Sequence, residues 1–119
     1  MKLIISVVTW NNENQIDALL TSLKAQKLNC ESKIVICDNA STDRTREKVK
    51  EHENVTLITN RENLGFGKAH NKVMKLYDAD YYFVLIDKSL FVQLLNEIDI
   101  ERRRCFEVDI ILQCLFQHE

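Results

Sequence analysis

The chain has 119 residues, of which 45% are apolar and 29% charged, with a formal net charge of −2. That length allows one small domain, and the near-neutral charge gives no basic footprint for DNA, RNA or an anionic membrane. No apolar run approaches the roughly 20 residues of a membrane span, and the opening MKLIISVV is too short for a secretory signal.

Lys2 to Val8 is a β-branched apolar run, the pattern of a strand buried on both faces. Asn12 reads as an N-cap with Gln15 three residues on, as in a capping box. Ile16, Leu19, Leu20 and Leu23 then follow at the spacing of an amphipathic helix. Ile34 to Cys37 reads as a second buried strand, ended by Asp38-Asn39. Ser41-Thr42-Asp43 supplies caps for a charged surface helix reaching about Glu51, with Val49 as its main apolar contact. Val55 to Thr59 is the third strand. The stretch NLGFGKAHN, residues 63–71, follows; it holds both glycines of a chain that has no proline. Phe66, Ala69, Val73, Leu76 and Tyr77 mark the inward face of a helix, and Tyr81 to Ile86 a fourth strand. Beyond it, Phe91, Leu94, Leu95 and Ile98 have helical spacing, and residues 106–116 alternate as a strand. This β-α-β-α-β-α-β order predicts an α/β fold, a mainly parallel, Rossmann-like sheet with helices on both faces.

Ligands of open parallel sheets bind beyond the carboxyl ends of the strands. Thr9-Trp10-Asn11, Asp38-Asn39-Ala40-Ser41, the stretch from Asn60 to Gly67, and Asp87 all fall there, and right-handed crossovers bring them to one rim. Together they offer hydrogen-bonding side chains, an aromatic ring, two carboxylates and a helix start, which suits a nucleotide and a divalent cation. Taken singly, each has a plainer reading. Asp38 and Ser41 form an Asx turn and cap, Trp10 an edge of the core, His70 a satisfied structural histidine, and the glycines a tight turn. Asp78-Ala79-Asp80 precedes a strand and belongs to the opposite rim, as a solvated turn. Arg102-Arg103-Arg104 stands beside acidic residues and reads as a solvated helix end. Cys30, Cys37, Cys105 and Cys114 lack metal-ligand spacing, which favours a reduced compartment.

The segments ISVVTWNNENQIDALLTSL, KIVICDNASTDRT, ITNRENLGFGKAHNKVMK and DADYYFVL, in this order over residues 3 to about 86, resemble the amino-terminal half of family 2 glycosyltransferases. The GFG before a helix looks most like the rhamnosyltransferase-type branch. The resemblance implies a partial GT-A fold, a UDP- or dTDP-sugar donor, inverting transfer to an acceptor hydroxyl, and a place in polysaccharide biosynthesis. It implies a nucleotide site at Val8, Thr9, Trp10, Asn11, Asp38, Asn63, Gly65, Gly67 and Asn71. It also implies Mg²⁺ or Mn²⁺ held near Asp87, where the family's acidic pair is replaced by Ile86-Asp87-Lys88-Ser89. A cytoplasmic location follows, with the inner membrane surface as a second one.

The resemblance divides the chain into a donor-binding half, residues 1–88, and a different end, residues 89–119, within the same domain. The acceptor half and its general base are not recognised, so the expectation is a truncated or frameshifted enzyme, inactive alone. The alternative is a non-catalytic nucleotide-binding or interaction domain that forms homo-oligomers or swaps residues 90–119. A dehydrogenase is rejected because GFGKAH follows the third strand and lacks the third small residue of the dinucleotide fingerprint. A P-loop is rejected because no Gly-Lys-Ser/Thr occurs. A nucleotidyltransferase would carry its glycine-rich loop after the first strand, where this chain has none.

Overall fold

A computed structural model describes residues 2–25 and 30–85 of the protein. The elements in chain order are β1 (Lys2–Thr9), α1 (Ile16–Lys24), β2 (Glu31–Asp38), α2 (Thr45–Lys50), β3 (Val55–Thr59), α3 (Phe66–Leu76) and β4 (Tyr81–Leu85). The expected helix and strand after Ile86 lie outside the described residues, as do Asp87 and the arginine run.

The strands form one sheet in the order β3-β2-β1-β4, and every pairing is parallel. The register sets Thr9 beside Asp38 and Asp38 beside Thr59, so the carboxyl ends of β1, β2 and β3 finish level. From β1 to β3 the chain steps in one direction, and right-handed crossovers place α1 and α2 on one face. The return from β3 to β4 reverses direction and carries α3 to the other face.

Side-chain alternation along the strands feeds two cores. Ile4, Val8, Val35, Cys37, Tyr82 and Val84 pack with Ala69, Val73 and Met74 of α3. Leu3, Ile5, Val7, Ile34, Ile36 and Leu85 pack with Ile16, Leu20 and Leu23 of α1 and Val49 of α2. Fully burying each such side chain contributes about 1.5–3 kcal/mol, which is why β1 and β2 carry apolar residues on both faces. The expected α/β class, with helices on both faces of a parallel sheet, is therefore observed.

Local details differ from the expectation at three places. Asn12 does not cap α1. Its side chain turns back to accept the Trp10 backbone N–H at 2.8 Å, a turn follows, and the helix begins four residues later without a side-chain cap. Of the expected capping stretch Ser41-Thr42-Asp43, only Asp43 serves α2, which starts at Thr45: Asp43 Oδ1 accepts the Thr45 N–H at 2.9 Å, while Ser41 Oγ bonds Asn11 and Asp38. Leu76 faces solvent, 58% exposed, at the last turn of α3, where the chain is already leaving the helix for β4; His70 and Met74 are buried instead.

Candidate functional site

The sheet order reverses between β1 and β4, and the crevice at such a switch point, beyond the carboxyl ends, is where open α/β sheets hold ligands. The loop leaving β1 at this point carries Trp10, 50% exposed. A tryptophan at a strand end would normally seek cover; here the adjoining backbone is tied down while the ring stays in solvent.

The ties come from the loop after β2. Asn11 donates its backbone N–H to Ser41 Oγ at 2.9 Å, and its Oδ1 accepts the N–H groups of Thr42 at 2.8 Å and Asp43 at 3.3 Å. Asn12 N–H donates to Thr45 Oγ1 at 2.8 Å, Glu13 N–H to Asp43 Oδ2 at 3.2 Å, and Lys48 Nζ to the Glu13 carbonyl at 2.7 Å. Desolvation opposes ionisation of Asp43, but the Thr45 hydroxyl and the N–H groups of Thr45 and Glu13 outweigh it and hold the carboxyl below the usual carboxylate range.

Beneath this clamp lies Asp38, with no exposed surface. Its Oδ1 accepts the hydroxyls of Thr9, at 2.7 Å, and of Ser41, while Oδ2 accepts the Ser41 N–H at 2.9 Å. Arg46 Nε stands 3.7 Å from Oδ2, and Arg46 Nη2 donates to the Ser41 carbonyl at 3.0 Å. A buried carboxylate this fully hydrogen-bonded holds the two loops together from below. Thr9 at 1% exposure and Val8 at 8% lie at the same depth. The structure thus brings Val8, Thr9, Asp38 and Asn11 together beneath and beside Trp10.

The glycine loop meets the same rim from the β3 side. Gly65 takes φ 81° and ψ 170°, a conformation closed to residues with a Cβ, and starts α3 without a side-chain cap. Asn63 Oδ1 accepts the Gly65 N–H at 2.8 Å, and Gly67 is buried in the first helical turn. Asn71 lies further along α3, in a shallow groove with Lys68, Lys72, Lys75 and Leu76, away from the clamp. The loop is fastened by two amides that sequence reading placed on the rim without giving them a role. Asn39 Nδ2 donates to the Gly65 carbonyl at 3.1 Å, and Asn39 Oδ1 accepts from Leu64 N–H at 3.3 Å and from Asn60 Nδ2 at 2.9 Å. Lys72 Nζ in turn donates to Asn60 Oδ1 at 2.7 Å. The only signal in the sequence was the position of both asparagines, each directly after a strand.

His70 is fully buried on α3 and shares a 2.7 Å hydrogen bond through Nδ1 with Ser6 Oγ of β1. Burial drives its pKa down to about 3, although the Leu85 backbone pulls the other way. It is a neutral histidine buried in the core, but only half satisfied: Nδ1 meets Ser6, while Nε2 is buried without a hydrogen-bond partner among the described residues. Asp80 Oδ2 accepts the Lys2 N–H at 2.8 Å, which puts the Asp78-Ala79-Asp80 turn at the opposite, amino-terminal rim. Among the described residues, no group of three or more His, Cys, Asp or Glu side chains is placed to hold a metal ion. The two oxygens of Asp38 already serve hydroxyls, an N–H and Arg46, so Asp38 is not free to take a divalent cation.

A parallel sheet with a clamped aromatic loop at its switch point and a glycine-started helix across the rim is an open, Rossmann-like arrangement of the α/β class. Residues 4–92 match glycosyl transferase family 2, and the chain belongs to that family. Among solved structures it is similar to the mannosyltransferase PcManGT from Pyrobaculum calidifontis, solved in complex with GDP-Man and Mn²⁺. The TM-score is 0.58 and the identity 25%, over 66% of this chain and 25% of that one, so this chain spans only a quarter of that relative. Comparison with curated proteins gives no match. Among the described residues, no helix is long and apolar enough to cross a membrane.

Proposed function

We propose that the rim between Trp10 and Gly65 binds the nucleotide of a nucleotide-diphospho-sugar, the donor for inverting glycosyl transfer to an acceptor hydroxyl. The observation that carries this reading is Trp10, half exposed at the switch point on a loop whose backbone N–H groups from Trp10 to Glu13 are all hydrogen-bonded. In this reading the indole ring stacks on the base, and Asn11 borders the ribose. Val8, Thr9 and Asp38 form the floor, Asp38 acting by holding Thr9 and Ser41 in place. Asn63, Gly65 and Gly67 let the diphosphate approach the start of α3, with Asn71 further along the same helix.

Family resemblance favours UDP or dTDP, with a rhamnosyltransferase-like branch as one form; the mannosyltransferase neighbour adds GDP. That neighbour's Mn²⁺ makes a cation part of the proposal, with Asp87, outside the described residues, as its carboxylate ligand. A cation there would neutralise charge on the leaving diphosphate. What the described residues carry is donor binding and orientation. Residues 1–88 are the proposed donor half, at the cytoplasmic side.

Trp10 is the only tryptophan of the chain, so its fluorescence reports on this rim alone. Titration with UDP, dTDP and GDP, each with Mg²⁺, Mn²⁺ or EDTA, is expected to give a saturable fluorescence change and matching calorimetric heat for at least one nucleotide. Trp10→Ala should weaken that binding about tenfold by calorimetry, the size of one lost base stack. A folded sample with neither heat nor fluorescence change in any combination overturns the proposal.

A further inference from the structure

The asparagines behind the glycine loop form a chain of hydrogen bonds with a fixed sense. Asn39 is 1% exposed and Asn60 6%, so their amides have no bulk water to compensate for a wrong orientation. An amide can turn either way, exchanging donor for acceptor. A lysine ammonium cannot, because it only donates. Lys72 Nζ, 2.7 Å from Asn60, therefore requires Asn60 to present Oδ1 to it and Nδ2 to Asn39. Asn39 must then present Oδ1 to Asn60 and to the Leu64 N–H, leaving Nδ2 for the Gly65 carbonyl. The last acceptor is the residue whose carbonyl also takes the Ala69 N–H, the opening hydrogen bond of α3.

We infer that Lys72 is a positioning residue for donor binding: its charge orients the Asn60 amide in the sense that the Leu64 N–H and the Gly65 carbonyl require of Asn39, and so completes a Lys72–Asn60–Asn39–Gly65 relay that holds the glycine loop and the start of α3 on the rim. Asn39 is the hub, since its backbone N–H also donates to the Thr9 carbonyl at 2.8 Å and so joins β1, β2 and the loop. Lys50, exposed at the carboxyl end of α2 and away from the rim, makes no part of the relay or of the proposed site and is the internal control. The inference rests on the reading that this rim is the donor site, but the relay can be read without any ligand.

The test uses Lys72→Met, Lys72→Arg, Lys50→Met and Asn60→Asp in the full chain. Asn60→Asp keeps size and the Lys72 contact but removes the donor to Asn39, so it breaks the relay by a second route. Without ligand, Lys72→Met and Asn60→Asp should shift the Asn39 side-chain amide and Gly65 carbonyl NMR signals and speed hydrogen exchange at Leu64 to Ala69. Lys72→Arg, which keeps a donor-only cation, should retain the wild-type pattern. With the nucleotide that wild type binds best, Lys72→Met should weaken affinity about five- to tenfold, and Lys50→Met should leave it within about twofold. Unchanged Asn39 and Gly65 signals in both relay variants overturn the relay. Shifted signals with affinity equal to that of Lys50→Met overturn its role in donor binding. A wild type that binds no nucleotide overturns the donor-site reading instead, and the ligand-free signals then decide whether the relay holds the loop.

Discussion

Four described residues take a left-handed backbone, and only one is glycine: Gly65 at φ 81°, with Asn11 at 51°, Ala40 at 60° and Asn54 at 61°. Asparagine tolerates this region because its short polar side chain bonds locally, as Asn11 does to Thr42 and Asp43. Ala40 has no such compensation, and its Cβ costs about 1–2 kcal/mol there. Ala40→Gly should therefore be neutral or stabilise the fold by up to about 1 kcal/mol. Gly65→Ala should destabilise by about 1–3 kcal/mol, because ψ 170° leaves no room for a Cβ. Urea midpoints of the two variants, moving in opposite directions, check both statements. The requirement at Gly65 was legible as a rare glycine before a helix. That at Ala40 was not, since alanine carries no sequence mark of a left-handed turn.

At the scale of elements, α2 shows how little apolar surface a helix needs when its ends are tied. It spans six residues, and Val49, 1% exposed, is its only buried apolar side chain. Its remaining hold is polar: Thr45 and Lys48 bond the β1–α1 loop, and just beyond it His52 Nε2 meets Asp17 of α1 at 2.8 Å. The His52 hydrogen bond, helped by Lys48, holds the Asp17 carboxyl below its ordinary range despite desolvation. Val49→Ala should cost about 2 kcal/mol, two buried methyl groups plus the cavity left behind. Hydrogen exchange should show the loss first in α2 and in the Asn11–Asp43 clamp. The apolar spacing of α1 and the identity of Val49 were readable from sequence. The true start of α1 was not, because caps depend on which neighbouring loop a side chain meets, as with Asn12.

For the whole molecule, the Ser6–His70 pair couples α3 to the middle of the sheet and makes stability depend on pH. The native ring has a pKa of about 3, below the ordinary 6.5, so the unfolded chain binds a proton that the native state excludes. Stability is thus full above about pH 6.5 and declines as pH falls toward about 3, by up to about 1.4 kcal/mol per pH unit. Urea unfolding between pH 7.5 and 5 should show this slope, and the double variant Ser6→Ala/His70→Leu should flatten it.

The sequence by itself determined the α/β class, the order of the elements, the position of the glycine loop and the resemblance to family 2 glycosyltransferases. These are local properties: strand and helix periods, breakers and contiguous motifs are written within stretches of about ten residues. Only the tertiary structure decided that β4 returns beside β1, which creates the switch point and leaves Trp10 exposed there. It also turned Asp38 and Thr9 inward as a floor, and linked Lys72, Asn60 and Asn39 to Gly65. Those outcomes depend on register and packing between segments far apart in the chain, where a polar residue satisfied by a partner is indistinguishable in sequence from one waiting for a ligand.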